Sequence, residues 1–142
     1  TVREGDAAIV EQFVDLYKKT LNDANTALAD SIWQSGPKTS MVHPRGEDVG
    51  WENIRQHFYI DRLQKLYTER HFEFRDLEIE VYRDTAIAMY TWDFRGKLRS
   101  DGTEIEHKGR TSQTYRRTSQ EGWKILHAHI SGMPITNERQ QI

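Results

Sequence analysis

The sequence predicts an α+β fold in one domain spanning residues 1–142. Two observations point there. Helical periodicity is confined to the first half of the chain, and two-residue alternation fills the second, the order expected when helices and an antiparallel sheet occupy separate layers. The length of 142 residues is a third pointer: it suits a single core that needs no covalent staples.

The first helix is predicted over residues 6–23. Asp6 stands at the capping position, and Ile9, Val10, Phe13, Val14, Tyr17 and Leu21 recur at helical spacing. A short second helix follows from Thr26 to Ile32 and is broken by "SGPK". Ser40 to His43 reads as a short strand ended by Pro44, whose ring biases His43 toward extended backbone. Gly46 and Gly50 bound a loop. A third helix is predicted from Trp51 to Tyr67, with Trp51, Ile54, Phe58 and Leu66 on one face.

Four strands then follow. In "FEFRDLEIEVYRD" the apolar phase slips between Phe74 and Leu77, which predicts a bulge near Arg75 and Asp76. "TAIAMYTWDFRG" places Ala86, Ala88, Tyr90, Trp92 and Phe94 on one face and Ile87, Met89, Thr91 and Asp93 on the other. "SDGT" turns the chain into "HKGRTSQTYRR", and "TSQEG" leads into "GWKILHAHIS". Both faces of these strands carry large side chains, so the face away from the helices needs a cover. A homodimer through the sheet is the expected one.

Composition narrows the partners. Lys and Arg total 20 against 22 Asp and Glu, a net charge of −2, which gives no footprint for nucleic acid or an anionic membrane. No apolar run approaches the length of a spanning helix, and no signal peptide is recognised. A cytoplasmic protein is the expectation, with a periplasmic or secreted one left open, since the chain begins at Thr1 without Met and leaves room for an upstream segment. The absence of cysteine excludes disulfides and thiolate zinc sites. Four Trp and six Tyr in so polar a chain suggest a roomy, aromatic-lined interior, which would suit a small hydrophobic ligand, or an interface.

The stretches "TSMVHPRGEDVGWENIRQHF", "GRTSQTYRR" and "GWKILHAHIS" resemble the SnoaL-like (DUF4440-type) branch of the nuclear transport factor 2-like (NTF2-like) superfamily. The last stretch is also similar to the association domain of calmodulin-dependent kinase. The resemblance implies a cone, a cystatin-like roll in which a curved antiparallel or mixed sheet wraps the N-terminal helices and leaves a pocket at its open end. It implies cofactor-independent isomerase, cyclase or dehydratase chemistry on a hydrophobic carbonyl compound, or a non-catalytic dimeric binding or assembly module.

Within that resemblance His43 falls where ketosteroid isomerases keep a general-base aspartate, and an imidazole can move a proton near neutral pH. The plainer alternative is a turn histidine bonded to the "RGED" backbone. Tyr17 falls where those enzymes place an oxyanion-stabilising phenol. Their third element, a protonated aspartic acid, has no counterpart; Ser112 or Gln113 stands near its position. Where the kinase association domains line their pocket with arginines, this chain has Gln113 and Ile130.

Trp33, Trp51, Phe58, Tyr90 and Trp92 are expected to form the ring-lined wall. Arg110 is the expected charged anchor, with Asp93 its partner across the strands. His127, His129 and Ser131 share one strand face. A His-x-His pair can chelate a metal with a third ligand such as His43, His107 or Asp93, but nothing at standard spacing completes such a site. No metal or cofactor is therefore expected. The two imidazoles are read as bonding neighbouring strands or the dimer partner, and they join the ligand-binding set with Arg110 and Gln113.

Overall fold

The computed structural model describes residues 4–133. Helix α1 spans Asp6–Asp23 and α2 Thr26–Ile32. Asp6 is not the cap of α1: Gly5 holds that position, and Asp6 sits buried in the first turn. There its carboxylate accepts hydrogen bonds from Arg117 at 2.9 Å and from the Trp123 indole at 3.3 Å. Asn25 caps α2, its side chain accepting the Leu28 N–H.

Strand β1, Ser40–His43, turns at Pro44-Arg45 into β2, Gly46–Val49. The expected loop between Gly46 and Gly50 is therefore the second strand of a hairpin. Its polar residues give no alternation to read, and its pairing with β1 fixes it instead. Gly50 then takes φ 91°, a backbone that suits glycine, and its N–H bonds Thr39.

The third helix opens with one α-turn, α3, Trp51–Asn53, and continues as a π-helix over Ile54–Gln64. The i→i+5 winding widens each turn and changes which residues share a face. Ile54, Phe58, Tyr59 and Leu63 are buried, and Leu66, expected on the same face, lines the cavity but is partly open to solvent.

Strands β3, Tyr67–Tyr82, β4, Thr85–Leu98, β5, Glu104–Thr118, and β6, Gly122–Gly132, complete a six-stranded sheet of order β2-β1-β6-β5-β4-β3. Only β1 and β6 pair in parallel. The register of β3 slips between Arg75 and Glu78 with Asp76 at φ 57°, a bulge at the expected place that turns Leu77, Ile79 and Val81 toward the core. Another bulge, which the sequence reading did not expect, leaves Leu126 unpaired between Ile125 and His127. Both bulges increase the local bend of the sheet.

The core fills the space between α1 and the inner face. Val10, Val14, Tyr17 and Leu21 of α1 pack with Ala86, Ala88 and Tyr90 of β4 and Tyr115 of β5. The space left between the sheet and the third helix is the cavity described next.

Candidate functional site

A cavity of about 620 Å³ lies between the sheet and the third helix, within the range of small-molecule sites. Strands β3 and β4 give it Phe72, Phe74, Tyr90, Trp92 and Phe94. These side chains project to one face because alternate strand residues do, and they pack on one another: the Phe74 and Tyr90 rings stack at 4.1 Å and Phe72 meets Phe94 at 4.6 Å. Gly109 stands opposite Trp92 in the register. A Cβ there would run into the indole and the Ser131 carbonyl, so the glycine is what lets Trp92 lie across β5. Phe58, Arg62 and Leu63 face the cavity from the π-helix, Tyr17 and Leu21 from α1, and His43, Pro44 and Arg45 from the β1–β2 turn.

The Tyr17 hydroxyl and the Trp92 indole N–H in this apolar wall have no hydrogen-bond partner, and the Tyr90 hydroxyl has only a weak one in the neighbouring Thr111 side chain. Native proteins rarely leave such groups unpaired. Burial pushes the Tyr17 and Tyr90 phenols well above their ordinary pKa, and neighbouring tyrosines push the same way; for Tyr90 the adjacent Thr111 offsets part of the effect. Both phenols therefore keep their protons and remain donors. Gln113, deeper in the core, has an unpaired side-chain N–H while its oxygen accepts from Tyr115.

The His43 ring lines the same cavity with 12 % of its side chain exposed. Its Nε2 lies 3.0 Å from Asp48 Oδ2, and Asp48 Oδ1 lies 2.8 Å from His57 Nδ1. One nearly buried carboxylate thus holds two imidazoles, one on the hairpin and one on the π-helix. The Arg45 backbone N–H donates to His43 Nδ1 at 3.3 Å. This assigns the ring: Nδ1 accepts, and Nε2–H donates to Asp48. The turn bond expected of a plain structural histidine is present, and so is an oriented His–Asp pair facing a cavity. Asp48 and His57 were not singled out in the sequence; "H-P-R-G-E-D" shows the hairpin pairing only once Gly46–Val49 is known to be a strand.

The expected wall divides. Phe58, Tyr90 and Trp92 line the cavity. Trp33 and Trp51 do not: they stack on each other at 5.6 Å between α2 and the third helix, and their indoles donate to Tyr59 and Asp30 respectively. Thr20 gives its own proton to the Tyr17 carbonyl, so Tyr59 must donate to Thr20 while accepting from Trp33. This is a closed structural network.

Arg110 is another correction. Odd residues of β5 point inward, so Arg110 is exposed on the outer face. It stands opposite Thr91, and Asp93 pairs instead with Arg75 at 2.8 Å. His127 and His129 lie on that outer face too, because the Leu126 bulge reverses the phase of β6: Trp123 and Ile125 point inward before it, Ala128 and Ile130 after it. His127 bonds Ser40 of β1. Gln113 is fully buried but is not part of the cavity wall. Among the described residues no cluster of His, Asp or Glu is arranged to hold a metal, and no helix is long and apolar enough to cross a membrane.

Residues 10–136 match the SnoaL-like domain family. The chain belongs to that family. An NTF2-like superfamily protein from Salmonella enterica serovar Typhimurium superposes with a TM-score of 0.92 at 28% identity, covering 96% of each chain. A proposed dehydratase of the NTF2-like family from Streptomyces avermitilis superposes at 0.82 with 18% identity, covering 94% of this chain and 100% of that one. The CaMKII hub of S. rosetta does so at 0.74 with 18% identity, covering 93% and 100%. At such identities the last two likenesses concern the fold. No curated protein matches the sequence.

Proposed function

We propose that this SnoaL-like protein binds a small hydrophobic carbonyl compound in its cavity and moves a proton on it without a cofactor. The observation that carries the reading is the aromatic cavity itself, whose wall includes Tyr17 and Trp92 with donor atoms left unpaired just beneath its surface. Leaving a buried donor unpaired costs roughly 1–3 kcal/mol. A carbonyl oxygen placed among these groups accepts what the protein does not.

The proton step uses His43. Its Nδ1 leaves the long Arg45 N–H bond, takes a proton from the carbon beside the carbonyl, and the C–H electron pair moves into the C–C bond as the carbonyl oxygen gains charge. Tyr17 stabilises that oxygen by donating to it. Asp48, bound at Nε2, stabilises the imidazolium. Return of the proton to another carbon completes an isomerisation, and loss of a leaving group completes an elimination. Removal of such a base typically lowers the rate about 10²–10⁴-fold. His43→Ala is expected to do so in solvent-deuterium exchange, followed by NMR, across a panel of enolisable ketones. Unchanged exchange on every ketone the wild type processes removes His43 from the mechanism.

One observation favours a second reading, a non-catalytic binding module. Both His43 nitrogens are already bonded within the protein, which is what a purely structural histidine requires.

A homodimer through the outer sheet face is also proposed. Met89 is 38 % exposed at its centre, flanked in register by Ser112 and then His129. Met89→Glu is expected to convert a dimer into a monomer in sedimentation velocity; a wild-type monomer at all concentrations contradicts the proposal.

A further inference from the structure

The charged groups around the cavity are of one sign. Arg45 and Arg62 stand at its mouth, Lys108 also borders it, and no Asp or Glu contributes to the wall. Composition does not explain this, since acids outnumber bases in the chain. Other arginines near the third helix are engaged: Arg70 donates to the carbonyls of Leu63, Tyr67 and Asn22, and Arg99 to those of Gln64 and Tyr67. Among the described residues neither the Arg45 nor the Arg62 guanidinium has a hydrogen bond or ion pair. The acid that acts on Arg62, Asp48, is already held by His43 and His57.

Arg62 is partly buried, and burial and the neighbouring Arg45 charge both lower its pKa. Two guanidinium groups on separate elements, the β1–β2 turn and the π-helix, thus line one cavity, and the one carboxylate near Arg62, Asp48, is shared with two histidines. Guanidinium groups bind carboxylates in a directed, two-pronged way.

We infer that Arg45 and Arg62 form a clamp for a carboxylate, so that the cavity takes amphipathic acids with the head group at the mouth and the apolar body among the aromatic rings. This rests on the cavity being a ligand site, and it narrows the substrate to keto acids or aryl and alkyl acids of similar reach. A carbonyl further along such a molecule extends toward Tyr17 at the inner end.

The test is calorimetric titration of the whole chain at low salt with four probes sharing one apolar body: 4-phenylbutyrate, 4-phenylbutanol, 4-phenyl-2-butanone and 4-phenylbutyl phosphate. The acid is expected to bind at least about tenfold tighter than the alcohol. Arg62→Gln and Arg45→Gln are each expected to reduce that preference, and the double variant to abolish it. Circular dichroism and thermal midpoints of the three variants are expected to match wild type, which shows that they fold, and their affinity for the neutral ketone is expected to fall far less than that for the acid. Ketone binding without any preference for the acid overturns the clamp and leaves the cavity reading intact. A preference that survives in the double variant, or a phosphate that outbinds the carboxylate, overturns the assignment as well. Failure of all four probes to bind removes the cavity reading and the clamp together.

Discussion

Tyr17 carries a hydroxyl that burial keeps protonated and that no neighbour accepts. The group is a liability to the folded state and an asset to a bound acceptor. Tyr17→Phe is accordingly expected to stabilise the ligand-free protein by about 1 kcal/mol in urea denaturation while weakening ketone binding. A loss of stability instead shows that the hydroxyl has a partner in solution. At this scale the sequence was partly legible. Tyr17 and Phe58 could be placed inward because helical spacing survives a short distance past any irregularity, and Tyr90 and Trp92 because strand alternation is strict. Arg62 was hidden. Its inward turn depends on π-helical winding, which leaves no simple periodic mark, and charged residues at a rim follow no apolar pattern.

Elements decide which faces those residues reach. The β3 bulge was visible because apolar residues on both sides of Asp76 report the change of phase. The β6 bulge left a similar mark, apolar Trp123 and Ile125 at odd positions and Ala128 and Ile130 at even ones, but with the apolar Leu126 between them that mark went unread, and His127 and His129 were not assigned outward. The β1–β2 hairpin was missed because a short polar edge strand has no alternation to show. Gly109 tests how the strands hold the cavity wall. Gly109→Ala forces a methyl against the Trp92 ring and the Ser131 carbonyl and is expected to cost about 1–3 kcal/mol by overpacking. Gly132→Ala, whose Cβ would meet nothing within 4 Å, is the matched control and is expected to stay close to wild type. Equal midpoints in guanidinium denaturation for the two variants contradict this account of the wall.

Four tyrosines that burial holds protonated, Tyr17, Tyr59, Tyr90 and Tyr115, tie the stability of the whole molecule to alkaline pH. Each folded-state pKa lies above the unfolded value of about 10. The native state therefore binds the protons more tightly, and stability is full below pH 10 and falls as pH rises. The expected slope approaches 1.4 kcal/mol per tyrosine for each pH unit above that point. Chemical denaturation between pH 9 and 11.5 measures it, and a flat profile shows that the phenols ionise while folded. The fold class and the order of elements were readable because each follows from local periodicity. The cavity itself was expected from the number of aromatic residues and from family resemblance, but its size was not, because that depends on how far the bulges and the widened helix hold the sheet away from the core.

A crystal structure of the protein soaked with 4-phenyl-2-butanone tests the central claim most directly. The account predicts the phenyl ring among Phe72, Phe74 and Phe58, and the ketone oxygen within hydrogen-bond distance of the Tyr17 hydroxyl, the Tyr90 hydroxyl or the Trp92 indole. An ordered ketone elsewhere on the protein, or an oxygen turned away from all three donors, contradicts it.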